Sequence, residues 1–372
     1  MKDFAGFSEH FSVIPDPRVE RSKLHNLMEV LFIGLCSVLS GGQNFADMKL
    51  FGDSKIEWLR KYLELKNGIP SYHTFRSVFM FIDAEAFIDC FTKWTESLKT
   101  LTEGSVIALD GKSVRKSFDT WSGKSAIHLV GAWAAEAGIA LCHEVVDSKS
   151  NEITAIPELL EKLWIKGCIV TMDAMGCQRD VARDIVDRGG DYLLCVKGNQ
   201  SGLYENLKEF FHDCGDFKGV EHKYYATFEK GHGRIETRRC WAVEGEAEWL
   251  GICKDWKNIR TVVMIKRSRK IRGKTSTESS YYITSLPADA KRIAEAARSH
   301  WSIENSQHWV LDVIMNEDMS RARTDNAAVN LATLRRIAVN MINLVKGKTS
   351  IRGCMKKAGW DTSFLEKILA GP

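Results

Sequence analysis

Three carboxylates belong to three different predicted elements, where folding could bring them together. Asp110 closes the apolar segment SVIALD, Asp173 closes CIVTMD, and Glu304 lies in the helical stretch DAKRIAEAARSHWSIENSQHWVLDV. A strand that runs into an aspartate holds that carboxylate on a rigid support, and hard cations such as Mg²⁺ prefer oxygen ligands. Two such ions, about 3.5–4 Å apart, can stabilise the attacking and leaving oxygens of a phosphodiester. The predicted chemistry is therefore metal-dependent cutting and joining of DNA.

Each carboxylate also has a plainer interpretation. An aspartate at a strand end can cap the turn or helix that follows it, which applies to Asp110 before GKSVRK and to Asp173 before AMGCQRD. The predicted Glu304 helix carries a stripe at a spacing of four, and histidine with carboxylate at that spacing can bind zinc or iron. We expect Mg²⁺ or Mn²⁺ instead, because the aspartates supply oxygen ligands. The stripe consists of His300, Glu304, His308 and Asp312.

Composition limits the protein class. A chain of 372 residues predicts two or three domains. The ten cysteines include no CxxC pair, which favours free thiols in a reducing cytoplasm over a zinc finger or a disulfide framework. The N-terminus lacks the apolar core of a signal peptide, and the longest apolar stretch, Val30 to Leu39, is too short for a bilayer. We therefore expect a cytoplasmic protein without a membrane partner.

Positive charge is concentrated locally. The net charge of +4 is weak evidence for a nucleic-acid partner. Between Lys254 and Lys274, however, nine basic residues accompany one acid, Asp255. A run of this density can neutralise several phosphates, although a solvated hairpin face would look the same.

The periodicity divides the chain into two parts. Residues 1–100 have helical spacing, and a helix capped by Ser71 could read DNA through Tyr72, His73 and Arg76, with plain packing as the alternative. From about residue 104 the order becomes β-β-β-α-β-α-β, which matches the ribonuclease H-like fold. A mostly β insertion at about 200–287 precedes the Glu304 helix. The expected domains are an all-α domain, 1–100, and an α/β catalytic domain with a mixed sheet, 101–372.

Basic side chains near these elements are candidates for DNA phosphate contacts, with salt bridges or a solvated surface as the alternative. Period-two alternation places Arg234, Glu236 and Arg238 on one strand face. Trp301 and Trp309 are expected to be core residues. The DNA-binding candidates are Lys112, Arg115, Lys116, Lys197, Arg234, Arg238, Lys266, Arg267, Arg269, Lys270, Arg272, His300, Arg321 and Arg323.

Eight ordered strings resemble one family across nearly the whole chain. They are FSVIPDPR, NGIPSYHTF, ALDGKSVRKS, DSKSNEITAIPELLEKL, TMDAMGCQ, VKGNQ, GHGRIETR and HWSIENSQHWVLDV, which is followed by NEDMSRAR. Together they resemble the bacterial insertion-sequence transposases of the H-repeat-associated group. Eight motifs in order are far more specific than any one of them.

The resemblance implies a DDE transposase in which Asp110, Asp173 and Glu304 match the catalytic triad and hold two Mg²⁺ or Mn²⁺ ions, with Asp110 bridging both. Water or a DNA 3′-hydroxyl would be the nucleophile, without a covalent enzyme intermediate. The implied partner is double-stranded DNA, both the element ends and the target. The resemblance also implies a homodimer on DNA and a bacterial cytoplasmic protein associated with the nucleoid.

Broader insertion-sequence relatives carry Tyr, Arg and Lys at fixed offsets around the glutamate, where this chain has Ala297, His300 and Leu311. His300, Arg298 or the basic run between Lys254 and Lys274 could bind the cleaved strand instead. Two other functions stay open at this point. The chain could be a DNA-binding relic whose catalysis is unused, or a ribonuclease H-like nuclease.

Overall fold

The computed structural model describes residues 6–20, 23–119, 123–146, 151–214, 219–231, 233–245, 251 and 255–371. Cys253 and Lys254, the first residue of the basic run, lie outside these ranges. The nine cysteines inside them are free thiols, and eight of these are buried. In the described part, no helix is both long and apolar enough to cross a membrane.

The N-terminal region is helical, as predicted. Helix α2 (Leu27–Leu39) begins at a capping box: the Asn26 side chain accepts a hydrogen bond from the backbone N–H of Glu29, and the Glu29 side chain accepts one from the backbone N–H of Asn26. Ser71 caps α5 by accepting a hydrogen bond from Thr74 N, also as predicted. The helices are α1 (Phe7–Phe11), α2 (Leu27–Leu39), α3 (Phe45–Ser54), α4 (Ile56–Leu59), α5 (Tyr72–Phe81) and α6 (Ala84–Glu96).

The predicted β-β-β-α-β-α-β order is confirmed. In the sheet the strands run in the order β3-β2-β1-β4-β5, with β1, β4 and β5 parallel and β2 antiparallel to both β1 and β3. The sheet is therefore mixed, and apolar side chains cover it. The elements are β1 (Val106–Ser113), β2 (His128–Ala134), β3 (Ile139–Val146), α7 (Glu152–Glu161), β4 (Ile169–Met172), α8 (Arg179–Asp187) and β5 (Asp191–Val196).

The insertion is mostly β, as predicted, and it extends the same sheet. Strand β9 pairs antiparallel with β5, for example Leu193 with Thr284, and β8, β7 and β6 follow outward. The described strands thus form one nine-stranded mixed sheet. The inserted elements are α9 (Ser201–Asp213), β6 (Lys223–Gly231), β7 (Arg234–Glu244), β8 (Thr261–Ile271) and β9 (Lys274–Thr284).

The C-terminal helices return to the N-terminal region. Helix α11 is buried over most of its length, and α11, α12 and α13 share one hydrophobic core with α1 to α6. A domain boundary at residue 100 remains a prediction. The elements are α10 (Ala290–His300), two π-helical segments, π1 (Ile303–His308) and π2 (Val310–Ile314), α11 (Ala327–Val345), α12 (Ile351–Trp360) and α13 (Thr362–Ala370).

Two local predictions were wrong. Strand β1 does not end at Asp110 but continues to Ser113, because Asp110 to Ser113 keep pairing with β2. The Glu304 element is not a continuous α-helix. It changes after α10 to π-helical turns, which are wider and frequently occur at functional sites.

Candidate active site

Asp110 and Asp173 occupy equivalent places on neighbouring parallel strands. Leu109 of β1 is in register with Met172, the last residue of β4, so the next residue along each chain segment is one of these aspartates. Asp110 pairs with Gly131 of β2, whereas Asp173 leaves the sheet and accepts a hydrogen bond from Met175 N. Asp173 therefore caps the turn that follows β4, as the plainer interpretation of this residue predicted.

The Glu304 segment crosses the same region of the sheet. His300 Nδ1 lies 3.1 Å from the hydroxyl of Thr171 on β4, and Trp133 Nε1 of β2 donates to Ser302 Oγ at 3.1 Å. These two contacts fix the turn between α10 and π1. Glu304 follows at once, with an exposed side chain, in a segment that packs against β1.

The electrostatics of Asp110 report which carboxylates lie near it. Burial, followed by the charges of Glu304, Asp173 and Glu152, raises the pKa of Asp110 to about 7, although Gly111 N donates a hydrogen bond to it. Like charges raise the pKa of a carboxyl only at short range. Asp110, Asp173 and Glu152 line one small cavity, and the charge of Glu304 also acts on Asp110.

Glu152 is a fourth carboxylate that the sequence reasoning missed. It opens α7, and its Oε1 lies 2.6 Å from His128 Nε2 on β2. The pair packs against Gly111, where an added Cβ would lie 2.8 Å from the His128 ring and closer still to the Glu152 carboxylate. The available signal was Asn151-Glu152, a cap and an acid at the start of the helix after β3.

These residues fit a divalent cation by donor chemistry. Among the described residues, no group of three or more His, Cys, Asp or Glu side chains is positioned to hold a metal ion as it stands. His308 Nδ1 lies 3.6 Å from Asp110 Oδ2, but burial lowers the pKa of His308 to about 3, so this ring is neutral. The carboxylates around Asp110 supply negatively charged oxygen atoms, which are the ligands that Mg²⁺ and Mn²⁺ prefer.

Lys112 belongs to a buried ion cluster. Its ammonium contacts Asp312, Glu317 and Asp318, at 2.5, 3.4 and 3.6 Å. Arg336, also buried, pairs with Glu317 at 3.4 Å. Because Lys112 is 7% exposed, this cluster and not a DNA phosphate occupies its charge.

An arginine groove begins at Glu304. This cavity of about 630 Å³ lies between β7, β8 and β9 of the insertion and the α10–π1 turn. Trp301 and Trp309, both expected in the core, are exposed, and Trp301 lies at the edge of this cavity. Glu236 is 2% exposed and pairs with Arg234, Arg238 and Arg269, which confirms the predicted face of β7. The groove arginines are Arg234, Arg238, Arg267, Arg269 and Arg298.

The other DNA-binding candidates are dispersed. Lys266 and Lys270 alternate with the groove arginines along β8, and Arg272 lies in the following turn, so none of the three lines the groove. Lys197 is exposed after β5, and its charge helps to lower the pKa of His300, which burial lowers most. Arg115 pairs with Asp318, Lys116 is half-buried, and Arg321 and Arg323 line a second cavity.

Two family models match most of the chain. The family model for the transposase DDE domain matches residues 101–341, and the model for a region associated with that domain matches residues 8–95. The chain belongs to the DDE transposase family. "Putative transposase YncI" of Escherichia coli O157:H7 is 40% identical over 97% of this chain and 94% of its own. "H repeat-associated putative transposase YhhI" of Escherichia coli K12 is 38% identical over 98% and 97%.

These relatives confirm the predicted resemblance of this transposase to the H-repeat-associated group. Among solved structures, the chain aligns with a piggyBac transposase synaptic complex with hairpin DNA. That alignment has 12% identity and a TM-score of 0.43, and it covers 99% of this chain and 79% of the other.

Proposed function

We propose that this transposase cleaves the ends of its insertion sequence and joins them to target DNA through Asp110, Asp173 and Glu304. The observation that supports the proposal is the proximity of these carboxylates: Asp110 holds the place on β1 equivalent to that of Asp173, which directly follows β4, and burial together with the charges of Glu304 and Asp173 raises the pKa of Asp110 to about 7. The strand order β3-β2-β1-β4-β5 supports a ribonuclease H-like core. The strands of the insertion, β6 to β9, extend this core, with β9 beside β5.

The three carboxylates would hold two Mg²⁺ or Mn²⁺ ions. When bound, the ions would polarise the scissile phosphate and the attacking hydroxyl of water or of a DNA 3′ end. The residues of the chain position the reactants. Asp110 lies on β1 and Asp173 directly follows β4, and contacts to Thr171 and Trp133 hold the turn that presents Glu304.

Double-stranded DNA is the proposed substrate, and the arginine groove is its proposed path to the site. The groove starts at Glu304, and its arginines can pair with backbone phosphates without reading sequence. Synapsis of two ends needs two protomers, so a homodimer on DNA is part of the proposal.

The decisive experiment incubates the protein with Mg²⁺ or Mn²⁺ and a duplex that carries the native element end. Strand cleavage and joining are compared among wild type, Asp110→Ala, Asp173→Ala and Glu304→Ala. Glu295→Ala, an exposed glutamate of α10, is the matched control. We expect loss of both reactions in the triad variants only.

The alternatives have their own outcomes. Cleavage that persists in Asp110→Ala would refute the proposal. DNA binding without cleavage by the wild type would favour a catalytically unused relic. Hydrolysis of RNA–DNA hybrids without joining would favour a nuclease.

A further inference from the structure

A second cationic cavity lies between the N-terminal helices and the chain that follows the π-helical segments. This helical cleft, of about 470 Å³, is bounded by α3, α5 and residues 316–324. Its described lining includes Arg76, Arg321 and Arg323 and no aspartate or glutamate. The positive charge of the cleft is thus not balanced inside it.

The two arginines at the mouth of the helical cleft have charge to offer a ligand. Arg321 is exposed, and neither Arg76 nor Arg321 forms an ion pair with any described residue. Arg76 makes one long contact, 3.4 Å to Thr324 Oγ1. In the arginine groove, by contrast, Glu236 balances part of the charge. The helical cleft is the less neutralised of the two cavities.

The helical cleft is connected to the candidate active site. Arg323 Nε donates to the backbone oxygen of Lys116 at 3.1 Å, just after β1, and its guanidinium lies 5.0 Å from the centre of the Phe118 ring. The chain that leaves Glu304 through π2 forms one wall of the cleft. Along the chain, the residues that line the arginine groove come before π2, and the wall of the helical cleft formed by residues 316–324 comes after it.

An aromatic ring stands at the mouth. Tyr72, the first residue of α5, is 43% exposed and packs edge-on against Phe45, with ring centres 6.4 Å apart. Tyr72 also packs edge-on against the His73 ring, with ring centres 5.3 Å apart, and it lines the cleft. A base or deoxyribose is a suitable partner for such a ring, since aromatic side chains stack on nucleic-acid bases.

We propose that the helical cleft is a second DNA-binding site, where Arg76 and Arg321 bind backbone phosphates and Tyr72 contacts a base or sugar. The inference rests on the proposed function, because a transposase must hold DNA beyond the scissile phosphate. It assigns a share of DNA binding to the N-terminal helical region. A phosphodiester backbone fits because the cleft offers cations without competing carboxylates.

The test measures binding without catalysis. Fluorescence anisotropy with a duplex carrying the element end, in EDTA and at several salt concentrations, compares wild type with Arg76→Ala/Arg321→Ala. We expect weaker binding and a salt slope smaller by about 2, because each lost phosphate contact removes roughly 0.9. The control is Arg352→Ala, an exposed arginine of α12 with no ion pair to a described residue. An affinity and slope equal to those of the control would overturn the proposal.

Two further measurements separate a binding role from a folding role. Arg76→Lys/Arg321→Lys keeps the charges and should keep the salt slope, which a purely structural role of the guanidinium groups would not predict. A photo-crosslinking amino acid at Tyr72 should label the duplex, whereas the same amino acid at Trp360, exposed on α12, should not. Equal labelling at both positions would contradict the site. EDTA removes the divalent ions that cleavage would need, so these binding results do not depend on whether Asp110 catalyses cleavage.

Discussion

The ammonium nitrogen of Lys112 lies 2.5 Å from Asp312 Oδ1, which ties the strand of Asp110 to the π-helical chain of Glu304. Lys112 is two residues from the first acid, and Asp312 is eight from the last. The ion pair is supported by Glu317, which is fully buried. A buried pair of this kind stabilises little over an apolar pair, but losing one partner leaves buried charge unpaired. Its contribution is to hold two parts of the candidate site in register.

Lys112→Met should therefore destabilise the protein and reduce cleavage together. We expect a loss of about 3–5 kcal/mol in the free energy of unfolding, measured by urea titration, because Asp312 loses its cation and Glu317 keeps only Arg335 and Arg336. Arg115→Ala is the control, since Arg115 pairs with Asp318 from an 80% exposed position and should cost below about 1 kcal/mol. Equal losses in both variants would show that the Lys112 cluster does not position the site.

The raised pKa of Asp110 makes the stability of the metal-free protein depend on pH. The folded-state pKa is about 7 and the ordinary value is 3.8, so the folded state binds the proton more tightly across this window. Stability should then fall as pH rises from about 4 to 7 and level off above. Asp110→Asn removes this dependence, and at pH 8 in EDTA it should be more stable than wild type by on the order of 3 kcal/mol.

The cause of the shift can be tested at a neighbouring residue. Glu152→Gln removes one of the carboxylate charges that raise the pKa of Asp110, so the pH midpoint of the stability loss should move down. Glu158→Gln, an exposed change on the same helix, should leave the midpoint in place. Urea titrations from pH 4 to 8 measure both midpoints. An unmoved midpoint in Glu152→Gln would leave burial and the charges of Glu304 and Asp173 as the causes.

Gly111 determines how closely the His128–Glu152 pair approaches β1. A methyl group there would meet the Glu152 carboxylate and the His128 ring, so Gly111→Ala should cost about 1–3 kcal/mol. Glu152→Ala removes the closer of the two clashes, that with the carboxylate, so the double variant should be less destabilised than the sum of the single ones. A double-mutant cycle measures this coupling. Strict additivity would contradict the predicted contact.

Sequence patterns predicted the strands better than the side-chain surroundings. The β-β-β-α-β-α-β order and the strands of the insertion follow from alternation and turns, which are local properties. The burial of Lys112 could not be predicted locally, because its partners Asp312 and Glu317 are two hundred residues away. A basic residue after a strand-end acid has the same local pattern whether it binds phosphate or a buried carboxylate.

The Glu304 segment shows a second limit. Periodicity predicted one α-helix, whereas the chain forms π-helical turns after α10, where Trp133 and Thr171 hold the turn from the sheet. These tertiary contacts select the wider turn and are absent from local sequence. They also leave Trp301 exposed beside the arginine groove, where an amphipathic pattern predicts core.

The alternation of β8 provides a test of the arginine groove with adjacent residues as controls. Arg267 and Arg269 line the groove, whereas Lys266 and Lys270 point to the other face. If DNA follows the groove, Arg267→Ala and Arg269→Ala should each weaken binding and lower the salt slope by about 0.9. Lys266→Ala and Lys270→Ala change the same net charge and should have much smaller effects. Equal effects of all four substitutions, measured by anisotropy across a salt series, would indicate a diffuse attraction of the whole basic hairpin instead of a path along the groove.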